Sequence, residues 1–152
     1  MRIDFTYCEG ADKGIAPPAK ATDGAAGYDI RANLPAHDRE YGILIRAGEV
    51  LSIPTGISLA CPENILCEVR SRSGLAKSSR VVVLNAPGTI DPDFRGQISV
   101  LLANLGREDF AVTHGMRIAQ IVFVRFESPE LFEVHELSGT ERDTHGFGST
   151  GY

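Results

Sequence analysis

Two carboxylates, an arginine and an aromatic ring fall within nine residues, Gly88-Thr89-Ile90-Asp91-Pro92-Asp93-Phe94-Arg95-Gly96. Apolar runs flank the stretch at Val81–Leu84 and Ile98–Leu102, and Pro92 interrupts strand pairing, so the stretch reads as the tip of a β-hairpin. Asp91 in that position is rigid and open to solvent. It could serve as a general base toward a water molecule, although an ordinary Asp-Pro turn contains the same residues. A second chemical stretch, Arg70-Ser71-Arg72-Ser73-Gly74-Leu75-Ala76, opens the one plausible helical turn, Gly74–Ser79. Ser73 is an expected N-cap, and a helix start beside two arginines is either an anion site or simply a capped turn.

Two shorter pieces carry polar residues next to apolar ones. Ala26-Gly27-Tyr28-Asp29-Ile30 places an acid at the start of a strand, where turn and ion-pair roles are usual. Gly115-Met116-Arg117-Ile118-Ala119-Gln120-Ile121 sets Arg117 and Gln120 in an apolar run, where buried polar groups need partners. Gln120 could orient a water or satisfy the backbone. The end of the chain differs again: after Leu137 its only large apolar side chains are Phe147 and the terminal Tyr152, among Gly139, Gly146, Gly148 and Gly151. Such a tail is either disordered or orders over something bound, with Phe147 stacking and Arg142 gripping phosphate.

The elements that must position these residues are short and extended. Strands are expected at residues 1–7 and at Tyr28–Asn33, Tyr41–Arg46, Val50–Ser52, Gly56–Ala60, Ile65–Arg70, Val81–Leu84, Gln97–Asn104, Asp109–Thr113 and Ile118–Glu127. Turn residues separate them at intervals of about ten residues, the pattern of an all-β sandwich or barrel. Residues 8–25 read as surface coil. At 152 residues the chain is most simply one domain, 1–137, followed by a Gly-rich arm, 138–152. Net charge of −5 speaks against a general nucleic-acid binder, while the arginines at 70, 72, 95, 117 and 142 lie in or beside glycine-bearing loops and leave a small anionic ligand open. No membrane-length apolar run or signal segment occurs, and the cytosol is the expected compartment. Cys8, Cys61 and Cys67 show neither disulfide nor zinc spacing and read as core fillers; His37, His114, His135 and His145 are scattered without metal-ligand spacing.

Taken together, Ala26–Ile30, Arg72–Ala76, Gly88–Gly96, Gly115–Ile121 and Arg142–Gly151 resemble, in order and spacing, the five motifs of the trimeric dUTPase family. The resemblance spans residues 26–151. It implies a jelly-roll-like β-barrel, a homotrimer with C-terminal arm exchange, and hydrolysis of dUTP to dUMP and pyrophosphate with Mg²⁺ on the triphosphate. Residue by residue, it implies that Asp91 deprotonates the attacking water and Gln120 helps position it. Arg72, Ser73 and Gly74 would bind the phosphate chain. Asn85, Gly88, Thr89 and Ile90, with the strand near Ser99, would read the uracil edge. Phe94 would pack on the deoxyribose, Phe147 would stack on uracil with Gly148 and Ser149 beside it, and Arg142 would grip the distal phosphates. No direct protein ligand to the metal is implied, and Asp29 would reach it only through water. The implied partners are dUTP and further copies of the chain, with no nucleic acid and no membrane.

This chain departs from the family pattern in three places. Phe94 stands where the family usually has Tyr, and Asp143 and His145 stand where it usually has Gly. A protonated His145 could offset Asp143 next to a polyphosphate. The dCTP deaminases resemble the same turn, but their catalytic glutamate falls at Leu101, within a Val-Leu-Leu run that contains no acid. A non-catalytic binding module is the rival of another class.

Overall fold

In the computed structural model, which describes residues 1–145, the chain forms eleven strands, one α-helix and one 3-10 turn. The strands are β1 (Asp4–Tyr7), β2 (Tyr28–Arg31), β3 (Ile43–Ile45), β4 (Val50–Pro54), β5 (Ile57–Ala60) and β6 (Ile65–Arg70). They continue as β7 (Val81–Val83), β8 (Gly88–Ile90), β9 (Ser99–Asn104), β10 (Phe110–Val112) and β11 (Arg117–Arg125), with α1 at Ser73–Ser79. Four antiparallel sheets result, ordered β1-β5, β3-β10, β2-β11-β6-β8 and β4-β9-β7. They face a single core in a jelly-roll-like arrangement rather than one continuous barrel.

Alternation builds that core. In β6, Ile65, Cys67 and Val69 point inward while Leu66, Glu68 and Arg70 alternate outward. Ile30, Leu34, Ile45, Ile53, Ile98, Leu102, Ile118 and Ile121 are fully buried beside them. Each contributes about 1.5–3 kcal/mol by leaving water. Burial also pushes the Cys67 thiol up to about 12. Of the three cysteines expected to be core fillers only Cys67 is buried; Cys8 and Cys61 are half-buried.

Polar groups inside the core are paired. Asn104 is completely buried, donates from Nδ2 to the carbonyls of Ile45 (3.0 Å) and Glu108 (2.8 Å), and accepts the Gly106 N–H at 2.9 Å. It thereby fixes the β9–β10 turn to β3. Asn104→Ala leaves two carbonyls and an amide without partners, and should lower stability by about 3 kcal/mol. Urea unfolding would show this as a lower midpoint at an unchanged slope.

His114 also has a structural place. Its Nδ1 accepts the Leu34 N–H at 3.0 Å, so Nε2 carries the proton that faces Asp12, 3.2 Å away. The Gly14 backbone N–H, and then that imidazole, hold the Asp12 carboxyl below its usual range. The stability this supplies is present above the ordinary carboxylate range and is lost as pH falls through the lowered value.

The expected strands all form, most of them a residue or more shorter at their ends. Two elements were not foreseen. Ala36–Asp38 makes a 3-10 turn. More important, Gly88–Ile90 inside the expected hairpin tip is itself a strand. β7 and β9 do pair as the hairpin requires, with Val83 opposite Leu102, but β8 leaves them to pair with β6 in the neighbouring sheet, Gly88 opposite Val69 and Ile90 opposite Cys67. Three residues bounded by Pro87 and Pro92 give too short a period-two signal to read. After β11, residues 126–145 hold no strand or helix.

Candidate active site

One group of the candidate side chains gathers on the four-stranded sheet. Asp29 of β2 lies opposite Gln120 of β11, which lies opposite Arg70 of β6, so the three form one row. A register shift between Arg117 and Ala119 in β11 creates this row. Such bulges re-aim side chains next to active sites. From the end of β6 the chain turns through Ser71 into Arg72, Ser73 and Gly74 at the start of α1, directly above the row.

Charge is tightly organised here. The Asp29 carboxylate receives Arg72 Nε on one oxygen (2.9 Å) and Arg117 Nη1 on the other (3.0 Å), and Arg72 Nη1 also donates to the Arg117 carbonyl at 3.3 Å. Asp29 and Arg72 are largely covered, with side-chain exposures of 18% and 24%. Partial exclusion of water strengthens the pair and holds the Arg72 guanidinium in one orientation. The ion-pair reading of Asp29 therefore holds.

Arg70, grouped in the sequence with Arg72, is instead tied to Glu68 through its Nε at 2.8 Å and through Nη2. Ser73 does not cap α1. Arg72 occupies the cap position without a side-chain bond, and Ser73 is the first helical residue. Arg117, expected to be buried in an apolar run, is exposed because it precedes the bulge.

Gln120 donates its Nε2 hydrogen to the Ser71 carbonyl at 2.9 Å, and the Ser71 hydroxyl accepts the Val83 N–H at 2.9 Å. Ser71, which sequence reasoning passed over, thus ties Gln120 to the helix start and to β7. The other end of the carboxamide sits in a notch made by Gly27, where a methyl group would overlap Gln120 Oε1. The Gly27 backbone is not left-handed, so alanine is acceptable to the main chain and unacceptable only to Gln120. Gly27→Ala should therefore fold normally yet displace the Gln120 carboxamide, and with Gln120 in the role that the resemblance implies, a shift of about 1 Å lowers kcat by about 100-fold. Steady-state kinetics with a melting curve checks both halves of this expectation.

A second group lies on the connection from β7 to β9. The Asn85 amide rests against the Gly88 α-carbon, where an added Cβ would lie 3.0 Å from Asn85 Nδ2. Thr89 and Ile90 follow in β8, and Asp91 stands exposed just beyond it. The Phe94 N–H reaches the Asp91 carbonyl at 3.2 Å, closing a β-turn with Pro92 in its favoured second position. Ser99 starts β9 and is exposed.

The two groups do not meet within one chain. Asp91 comes directly after Ile90, which pairs with Cys67, whereas Arg72 and Ser73 lie beyond the other end of β6. Five to six residues at about 3.3 Å each separate them by roughly 15–20 Å along the strand. A concavity of about 410 Å³ beyond the far end of α1, lined by Ser78, Ser79, Arg80 and Gly106–Phe110, holds none of these residues.

The start of the arm is described and the rest is not. Arg142 Nε donates to the His145 carbonyl at 3.1 Å, and the Asp143 N–H donates to Thr140 Oγ1 at 3.0 Å. Asp143 adopts a φ of +43°, a region that favours glycine and tolerates aspartate better than most residues. Phe147, Gly148 and Ser149 lie outside the described residues. Among the described residues no cluster of three His, Cys, Asp or Glu side chains could hold a metal, and both Asp29 oxygens already face arginines.

Known proteins share both the sequence and the fold of this chain. The dUTPase family model matches residues 13–151. The deoxyuridine 5'-triphosphate nucleotidohydrolase of Caulobacter vibrioides is 47% identical over 151 residues, covering 99% of this chain and 95% of that protein. The protein of the same name from Mesorhizobium japonicum is 50% identical over 139 residues, covering 91% and 84%. Among solved structures, the Staphylococcus bacteriophage 80alpha dUTPase with dUpNHpp superposes with a TM-score of 0.85 over 99% of both chains at 23% identity, a likeness of fold. A phage phi11 dUTPase whose structure describes a structural Mg(II) ion gives 0.77 at 19% identity, over 91% of this chain and all of that one. With five motifs in register, the family model over nearly the whole length and relatives at about half identity, this chain belongs to the dUTPase family.

Proposed function

We propose that the chain hydrolyses dUTP to dUMP and pyrophosphate at sites assembled between copies of itself. The observation that carries this reading is the splitting of the motif residues onto two regions of one chain. Arg72, Ser73, Gly74 and Gln120 form a phosphate-facing half, and Asn85, Gly88–Asp91 and Phe94 form a base- and sugar-facing half. Neither half is sufficient, and a second copy supplies the missing one at each interface.

Exposed apolar surface supports such an assembly. Leu131, Phe132, Val134 and Leu137 of the 126–137 segment are 94%, 77%, 56% and 82% exposed, and Leu84, just after β7, and its backbone partner Leu101 of β9 are exposed as well. Among the described residues nothing covers these side chains, and neighbouring copies provide the cover. A homotrimer with exchange of the 138–152 arm is the assembly proposed, with the barrel domain taken as 1–137.

In the assembled site, Asp91 accepts a proton from the water that adds across the anhydride between the α- and β-phosphates. Gln120, fixed by Ser71 and Gly27, orients that water. Arg72, held rigid by Asp29, neutralises the developing charge together with Ser73 and Gly74, and Arg142 grips the distal phosphates. Mg²⁺ carried on the triphosphate would supply further charge neutralisation, and Asp29 is the residue that would reach it through water. Asn85 and the β8 main chain read the uracil edge, whose donor and acceptor pattern is opposite to that of cytosine. Mispairing there leaves buried groups without partners and makes discrimination large. Phe94 packs on the deoxyribose, and Phe147, Gly148 and Ser149 close over the base. The compartment proposed is the cytoplasm. Pyrophosphate release from dUTP, set against dCTP, dTTP and UTP with and without Mg²⁺, tests the whole reading: Mg²⁺-dependent release confined to dUTP supports it, and ammonia release from dCTP overturns it.

A further inference from the structure

We infer that Arg95 and Gly96 are specificity-determining residues that hold the Phe94 ring as a wall against the sugar; the inference rests on the proposed function and deepens it. Among the arginines placed near an anionic ligand by sequence, Arg95 is folded back onto its own turn. Its Nη1 donates to the carbonyl of Pro92 at 2.6 Å and to that of Phe94 at 2.9 Å. One guanidinium thus ties together the second and fourth residues of the turn that begins at Asp91, whose own carbonyl receives the Phe94 N–H. A guanidinium so engaged is a brace for the turn rather than a grip on phosphate.

Gly96 supplies the seat. A Cβ there would lie 2.5 Å from Phe94 Cζ, 3.0 Å from Cε2 and 3.3 Å from Cε1, so the ring lies directly on the Gly96 α-carbon. The Gly96 backbone is not left-handed, so the missing side chain serves the ring and not the main chain. The rest of Phe94, 43% exposed, faces outward. A phenyl ring lacks the hydroxyl through which a tyrosine could be anchored, so its placement here comes from the Gly96 seat beneath its tip and from the Arg95 brace on its backbone. The brace and the seat together set how close the ring stands to the sugar's 2′ position, and therefore how strongly a 2′-hydroxyl is refused.

The test compares kcat/KM for dUTP and UTP in the full-length protein. Gly96→Ala should lower the dUTP:UTP ratio by about tenfold, the scale on which one methylene in an apolar contact discriminates. Arg95→Ala should lower it in the same direction, with Arg95→Lys, which keeps a donor, recovering part of the loss. In a Phe94→Ala background, adding Gly96→Ala should change the ratio by less than about twofold, because the residue acts only through the ring. Melting curves confirm that each variant is folded. An unchanged ratio in Gly96→Ala and Arg95→Ala, or an equal loss with and without the ring, overturns the inference. Failure of the wild-type chain to hydrolyse dUTP overturns instead the function on which it rests.

Discussion

Asp91→Asn should reduce the rate of dUTP hydrolysis by about 1,000-fold while nucleotide binding is retained, the range expected when a general base loses its proton-accepting oxygen. The substitution preserves shape. Asp91 stands just outside β8, and its backbone carbonyl, not its carboxylate, closes the turn to Phe94, so the turn has no stake in the charge. Calorimetric titration with a non-hydrolysable dUTP analogue separates the two quantities. A variant that binds the analogue and does not turn over supports Asp91 as the base. Hydrolysis near the wild-type rate would mean that the carboxylate is an ordinary turn acid and that water is activated elsewhere.

Much of this arrangement was legible in the sequence, and what was not has identifiable causes. The strands were readable because their β-branched runs alternate and are separated by turn residues; β6, with Ile65, Cys67 and Val69 inward, is the clearest case. β8 was hidden because Gly88-Thr89-Ile90 is too short for its period to be seen and is hemmed by prolines on both sides. Its partner is β6 of another sheet, and pairing at long range is invisible to local pattern. Side-chain roles failed for a similar reason. Arg70 and Arg72 are two residues apart and look equivalent in sequence, yet strand alternation gives Arg70 to Glu68 and the turn gives Arg72 to Asp29. Gly27 carries no local signal beyond the flexibility of any glycine, because what matters is the space it leaves beside Gln120. Ser71 had no signal at all, since its value comes from two bonds to residues 12 and 49 positions away.

A mixture of two inactive variants should recover activity. Asp91→Asn spoils the half of the site on the β7–β9 connection, and Arg72→Ala spoils the half at the start of α1. Each variant alone assembles sites with one defective half. If a site draws Asp91 from one copy and Arg72 from the next, a site in mixed trimers is intact whenever the first copy is Arg72→Ala and its neighbour is Asp91→Asn. With equal amounts and random assembly that occurs in about a quarter of sites, because each position is filled by either variant with even odds and the cyclic arrangement repeats the same interface. Co-refolding the two variants should therefore bring activity from near nothing to about 25% of the wild-type level, rising and then falling as the ratio is varied and peaking at equal amounts. A site contained within one chain predicts no recovery at any ratio, because every chain in the mixture carries one broken half. The roughly 15–20 Å that separates Asp91 from Arg72 along β6 makes a single-chain site unable to place both groups on one phosphate. The curve of activity against mixing ratio thus tests whether Asp91 and Arg72 of one site come from different copies.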